Sequence, residues 1–160
     1  MAQASASTKK TAAKASSQVK TKGSSSKSEI VNRPFAHAVG RRKSAVARAW
    51  LRKGNGQLLV NGRPHDEYFQ VQEAVDASQA SFKAFPVTSG MTADITVRGG
   101  GYTAQSIAAQ LAVARALLAF DENLKSELRT KGFITVDSRV KERKKYGQKA
   151  ARRKFQFTKR

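Results

Sequence analysis

Residues 93–120, ADITVRGGGYTAQSIAAQLAVARALLAF, pass from one kind of structure into another within a few positions. Ala93 to Arg98 reads as a strand with Ile95 and Val97 on one face. Gly99-Gly100-Gly101-Tyr102-Thr103-Ala104-Gln105 then leads straight into a helix. Ile107, Leu111, Ala114 and Leu118 mark its buried stripe, Ala108 and Ala112 allow close packing, and Asp121-Glu122-Asn123 ends it. Gly99, Gly101 and Ala104 fit the loose dinucleotide pattern, with Asp121 about twenty residues further on. That pattern needs its acid at the end of the next parallel strand, whereas Asp121 closes the helix itself, and the chain has no room for a second half. Two readings of the glycines stay open. Their amides can hold a phosphate at a helix N-terminus, or the glycines serve only a tight strand-to-helix turn.

Upstream, order begins near Ala36. Ala45, Ala47, Ala49 and Leu51 alternate with Val46, Arg48, Trp50 and Arg52, the period of a strand. Gly54-Asn55-Gly56 is expected to turn the chain so that Gln57 to Val60 returns beside it as a hairpin, which Asn61-Gly62 and Pro64 break. Before the first strand stands Gly40-Arg41-Arg42-Lys43, where a glycine admits a phosphate and three cations follow; the alternative is a solvated basic turn. Tyr68, Val71, Val75 and Phe82 have the spacing of a short helix resting on the sheet. His65-Asp66-Glu67 reads as a turn with no nucleophile motif near it, and adjacent residues on a turn rarely converge on one point, so no acid–base site is expected there. Leu124 to Lys131 is a second helical segment ended by Gly132, and Phe133 to Val136 follows as a short strand or extended link.

The charge is placed unevenly. Residues 138–160, SRVKERKKYGQKAARRKFQFTKR, hold eleven basic side chains and one acid, Glu142. Residues 1–28 hold six lysines and no acid, while residues 29–137 hold fourteen basic and ten acidic side chains, so an ordinary body lies between two cationic arms. The N-terminal arm is Ser, Ala, Lys and Thr and is expected to be disordered. It has no apolar core for a secretory signal. It is Ser-rich and acid-poor as transit peptides are, but it lacks arginine before Arg33 and amphipathic spacing. The chain is expected to be one domain with one modest core. Absence of cysteine rules out disulfides and thiolate metal sites, and no apolar run is expected to approach membrane-span length.

In the tail only Val140, Tyr146, Phe155 and Phe157 interrupt the charge. Aromatic rings among Lys and Arg suit a partner offering phosphates to the cations and flat bases to the rings, which is RNA. Fourteen extended residues from Gly147 to Arg160 would reach about 45 Å. A chromatin-like DNA binder would share the Lys-rich arms without needing terminal aromatics, and a nucleotide-dependent enzyme would rest on the glycine run. Neither explains charge loaded onto the last residues.

GRRKSAVARAWL, the VNGRP turn, VRGGGYTAQ, ARALL and DSRVKERKKYGQKAARRKFQFTKR together closely resemble small-subunit ribosomal protein nine of bacterial type, from about Ala36 to Arg160. The last block is the most specific, with its Lys-Lys-Tyr-Gly core, Ala-Arg-Arg run, Gln-Phe and terminal Lys-Arg; Thr158 stands where the family usually has serine. The resemblance implies an α+β fold, a small mixed sheet with helices on one face, shared with the second domain of ribosomal protein five and containing a left-handed βαβ crossover that the general right-handed rule does not predict. It divides the chain into a disordered basic extension (1–35), a globular rRNA-binding domain (36–137) and an extended basic tail (138–160). It implies a non-enzymatic constituent of the small-subunit head, with small-subunit rRNA, peptidyl-site tRNA and neighbouring head proteins as partners. No cofactor, metal, membrane or small-molecule substrate is implied. The setting is a cytoplasmic ribosome, with an organellar one as the alternative. By position, Lys159 and Arg160 are the expected tRNA contacts. Arg139, Arg143, Lys144, Lys145, Tyr146, Lys149, Arg152 and Arg153 are expected against rRNA, joined by Arg41, Arg42, Lys43, Gly99, Gly100 and Gly101 of the body.

Overall fold

A computed structural model describes residues 33–158. The arm up to residue 32, and the expected tRNA contacts Lys159 and Arg160, lie outside the described residues. Five strands run β1 (Ala36–Arg42), β2 (Ala45–Lys53), β3 (Leu58–Val60), β4 (Arg63–Pro64) and β5 (Met91–Arg98). Between β4 and β5 come α1 (His65–Tyr68), α2 (Gln72–Lys83) and a 3-10 turn, Pro86–Gly90. After β5 come α3 (Tyr102–Phe120), a 3-10 turn at Glu122–Leu124, and α4 (Lys125–Thr130). The strand order is β1-β2-β5-β3-β4, antiparallel except for the parallel pair β3 and β5, so the expected α+β architecture with a mixed sheet is present.

The expected hairpin between Ala45–Leu51 and Gln57–Val60 does not form. β5 lies between those two strands. The turn that was to close the hairpin is instead bound to the start of β5. Gly54 N donates to Gly90 O at 3.0 Å, Gly56 N to Met91 O at 2.9 Å, and Ala93 N to Gln57 O at 2.9 Å. The chain thus passes around the end of β5 and emerges on its far side. The hairpins that do form are β1–β2, closed by Lys43-Ser44, and β3–β4, closed by Asn61-Gly62. Asn61 and Gly62 have φ of 51° and 81°, the pair of positive values that a two-residue primed turn requires. The Asn61 side chain continues the ladder beyond β3, since Val97 N donates to its Oδ1 at 2.9 Å and its Nδ2 donates to Val97 O at 3.2 Å. Gly40, Arg41 and Arg42 belong to β1 rather than to a loop before the first strand.

Alternation assigns the two faces of the sheet. Ala45, Ala47, Ala49 and Leu51 on β2, with Met91, Ala93, Ile95 and Val97 on β5, are buried beneath the helices. Small side chains on β1 and β2 let α3 lie close to the sheet. An added Cβ on Gly40 would stand 2.1 Å from Ala108 O and 2.6 Å from Ala112 N, so the space this glycine leaves is filled by α3 and not open to a phosphate. The expected stripe of α3 is offset. Leu111 and Ala114 are buried, but Ile107 and Leu118 are only half-buried, and Ala114 shares the deepest level with Ala108, Ala109, Ala112, Val113, Ala116 and Leu117. By length and composition α3 is apolar enough to cross a membrane, contrary to expectation, but half of it is buried within the body. Its second neighbour is α2, where buried Ser81 donates to Gln110 O at 3.1 Å and buried Ser78 to Val75 O at 2.7 Å, leaving neither hydroxyl without a partner.

The free margins of the sheet are short or occupied. β4 is two residues long and includes Pro64, and on β1 the carbonyl of Val39 accepts from Arg115 Nη1 of α3 at 2.8 Å. α4 buries Leu128 and stops at Gly132, whose N–H donates to Arg129 O while Phe133 N donates to Leu128 O, both at 3.0 Å, a Schellman ending. Phe133 and Ile134 then lie half-buried against the core in a bend and not as a strand.

Candidate nucleic-acid interface

From Thr135 on, the described chain has neither helix nor strand. Its root is fastened to the body by one residue of β1. Arg42 Nη2 pairs with Asp137 Oδ2 at 2.9 Å, and Arg42 Nη1 donates to the carbonyl of Arg139 at 2.8 Å. Asp137 also receives a two-pronged contact from Arg139, Nε to Oδ1 at 3.0 Å and Nη2 to Oδ2 at 2.8 Å. The Arg139 hydrogen bonds, with the Arg139 and Arg42 charges behind them, hold the Asp137 carboxyl well below the usual carboxylate range, and the Arg139 guanidinium is raised in turn. Of the three basic residues expected at RNA in this stretch, Arg42 is therefore committed to the tail. Arg41 and Lys43 are exposed.

Further along, the tail is less straight than its composition implies. Residues 146–152 bend into a loop in which Lys149 N donates to Arg153 O at 2.8 Å. Arg152 pairs with Glu142 across its base and keeps that carboxyl below its ordinary value. The pair is solvent-exposed, and such pairs hold geometry weakly. The expected 45 Å reach from Gly147 is therefore too long for this conformation. Arg153 to Thr158, six extended residues, spans at most about 20 Å. Tyr146, Phe155 and Phe157 are exposed and, with Lys154, line an open hollow of about 350 Å³. Arg139, Arg143, Lys144, Lys145, Lys149, Arg152 and Arg153 all face solvent.

The three glycines differ from one another. Gly99 and Gly100 have φ of 76° and 67°, and an added Cβ on Gly99 would meet Ser44 O at 2.5 Å, so these two are required by the turn and by the β1–β2 hairpin beside it. Gly101 is unencumbered and caps α3, its carbonyl accepting from Gln105 N at 2.9 Å. Contact between the glycine turn and Ser44-Ala45 brings Lys43 and the glycines to one rim of the sheet, next to Arg41.

Residues missed in the sequence lie on the uncovered face of the sheet. Val39 faces Arg48, Arg48 faces Thr96, Arg41 faces Val46, and Val46 faces Arg98 across the ladders. The signal was present in the alternation that set Arg48 and Trp50 opposite the alanines, but only the register brings Arg98 beside them. Among the described residues no group of three or more His, Asp or Glu side chains is placed to hold a metal ion.

A small α+β body with a cationic rim and a long basic tail is the build of a ribosomal protein. The profile of the ribosomal protein S9/S16 family matches residues 40–160, and the chain belongs to that family, whose role is structural. It is similar to small ribosomal subunit protein uS9 of Thermus thermophilus, 45% identical over 124 residues covering 78% of this chain and 97% of that protein. It is also similar to the uS9 proteins of Solidesulfovibrio magneticus, 44% identical over 79% of this chain and 97% of the relative, and of Desulfosudis oleivorans, 41% identical over 78% and 95%.

Proposed function

We propose that this chain, a structural constituent of the small ribosomal subunit, binds small-subunit rRNA through its rim and tail, and that its last residues extend to the peptidyl-site tRNA. The observation that carries the reading is the division of charge, eleven basic side chains against one acid in residues 138–160, together with exposed rings among them. Such a segment gains its stability from phosphates and base faces that it does not itself contain. The body (36–137) supplies placement and the tail (138–160) supplies charge, because phosphate contacts carry little sequence information. Arg41, Lys43, Gly101 and the exposed cations of the tail are the rRNA contacts in this reading, and Arg42 sets the point at which the tail departs. Neighbouring head proteins complete the surroundings, and the bacterial relatives support a cytoplasmic ribosome.

The tRNA role belongs to Lys159 and Arg160. Small subunits assembled with a chain lacking these two residues are expected to sediment normally but to bind peptidyl-site tRNA roughly 2- to 30-fold more weakly at modest salt, two exposed ionic contacts at about 0.2–1 kcal/mol each. Unchanged tRNA affinity would reduce the tail to a scaffold for rRNA.

A further inference from the structure

The sheet face turned away from the helices contains a hollow of about 360 Å³ lined by Arg41, Val46, Arg48, Trp50, Thr96 and Arg98. Its size is within the range of small-ligand sites, about 300–1,000 Å³. Three arginines and no carboxylate line it. Among the described residues the ion pairs leave all three without an acid, and the nearby Asp94 is engaged by Arg52 at 3.2 Å. The aromatic wall is Trp50, half-exposed and braced from β1 by His37, the ring centroids 6.2 Å apart and the planes 29° from parallel. Cations beside an indole face complement a phosphate joined to a flat ring.

We infer that this hollow receives an unpaired RNA nucleotide, its base stacked on Trp50 and its phosphates held by Arg48, Arg98 and Arg41. The site deepens the rRNA-binding reading and rests on it. An unpaired base is required because in a duplex the faces of the bases are already stacked on one another and cannot reach the indole. The arginines present planar donors that suit phosphate oxygens, and stacking on Trp50 adds affinity without demanding a particular base. The hollow lies on the strands that end at the glycine turn and the Lys43 turn. A strand of RNA leaving it therefore meets the rim at once.

Trp50 is the only tryptophan in the chain, so its fluorescence reports this face alone. The full-length protein is titrated at modest salt with a short unstructured oligonucleotide of ribouridines or riboadenines, and with a fully paired RNA duplex of equal length. Trp50 emission is followed beside the anisotropy of labelled RNA. Quenching by the single strand but not by the duplex is expected. Trp50→Ala should weaken single-strand affinity roughly 5- to 150-fold, and Trp50→Phe should restore most of it. Arg48→Gln, with the sheet intact by circular dichroism, should weaken both the quenching and the affinity. Binding seen by anisotropy with Trp50 emission unmoved and Trp50→Ala unchanged would overturn the site while leaving rRNA binding by the rim and tail in place. Equal quenching by the duplex would overturn the requirement for an unpaired base. No binding of either RNA would remove both the site and the reading beneath it.

Discussion

Replacing Gly40 by alanine tests how β1 and α3 are fitted together. The new Cβ would begin 2.1 Å from Ala108 O and 2.6 Å from Ala112 N, and both are backbone atoms of a helix interior that no rotamer change can move aside. Restoring ordinary contact requires a displacement of about 1 Å or more between strand and helix. α3 also packs against β2 and α2, so the movement would disturb three interfaces for one methyl group. Overpacking of this kind costs about 1–3 kcal/mol, and the rigidity of both partners puts Gly40→Ala at the upper end. For a body of this size that is a fall of about 10 °C or more in melting temperature, read by circular dichroism of the isolated protein. Gly90→Ala is the control. Nothing lies within 4 Å of the Cβ it would add, and a change within about 1 kcal/mol of zero is expected. If Gly40→Ala melts with the unsubstituted protein but binds RNA less well, the glycine serves a phosphate and the packing account fails.

Gly99→Ala should cost about 2 kcal/mol or more, from a left-handed backbone and a clash with Ser44 O, whereas Gly101→Ala, at an extended position in open space, should cost under about 1 kcal/mol; denaturant titration separates them, and equal effects would refute the distinction. The clasp at the root of the tail should follow the lowered titration of Asp137. Because the folded carboxyl holds its proton less readily than the unfolded one, the contribution is complete above the ordinary aspartate range and is lost only as pH falls through the lowered value. Limited proteolysis between residues 138 and 145 should accordingly be constant from neutral to mildly acidic pH, and faster throughout that range in Asp137→Asn; acceleration confined to the neutral range would contradict the pairing.

The parts legible in the sequence were those whose signal is local. The alternation of Ala45 to Leu51, the strand at Ala93–Arg98, the helix after the glycines and the charge of the tail can each be read from neighbours a few positions apart. The misplaced hairpin shows what is not local. Gly54-Asn55-Gly56 has turn chemistry, but whether the next strand pairs with its predecessor depends on residues 91–98, which arrive more than thirty positions later and occupy the space between. β1 was passed over because Gly40 and a run of cations look like a loop until α3 is placed against them. The Arg48, Trp50 and Arg98 cluster was equally hidden, since two strands contribute to it and register decides which side chains share a row. Arg42 could be read as a cation but not as the partner of Asp137, ninety-five positions away.

The guarded margins of the sheet bear on a stage of the protein's life before it meets its subunit. A copy just released from synthesis has a five-stranded sheet and, as yet, no subunit around it. With the middle of one outer strand occupied by Arg115 and the opposite one cut to two residues, one of them a proline, a waiting copy offers its siblings little backbone on which to polymerise. The same positive charge that awaits neutralisation keeps such copies apart in the meantime.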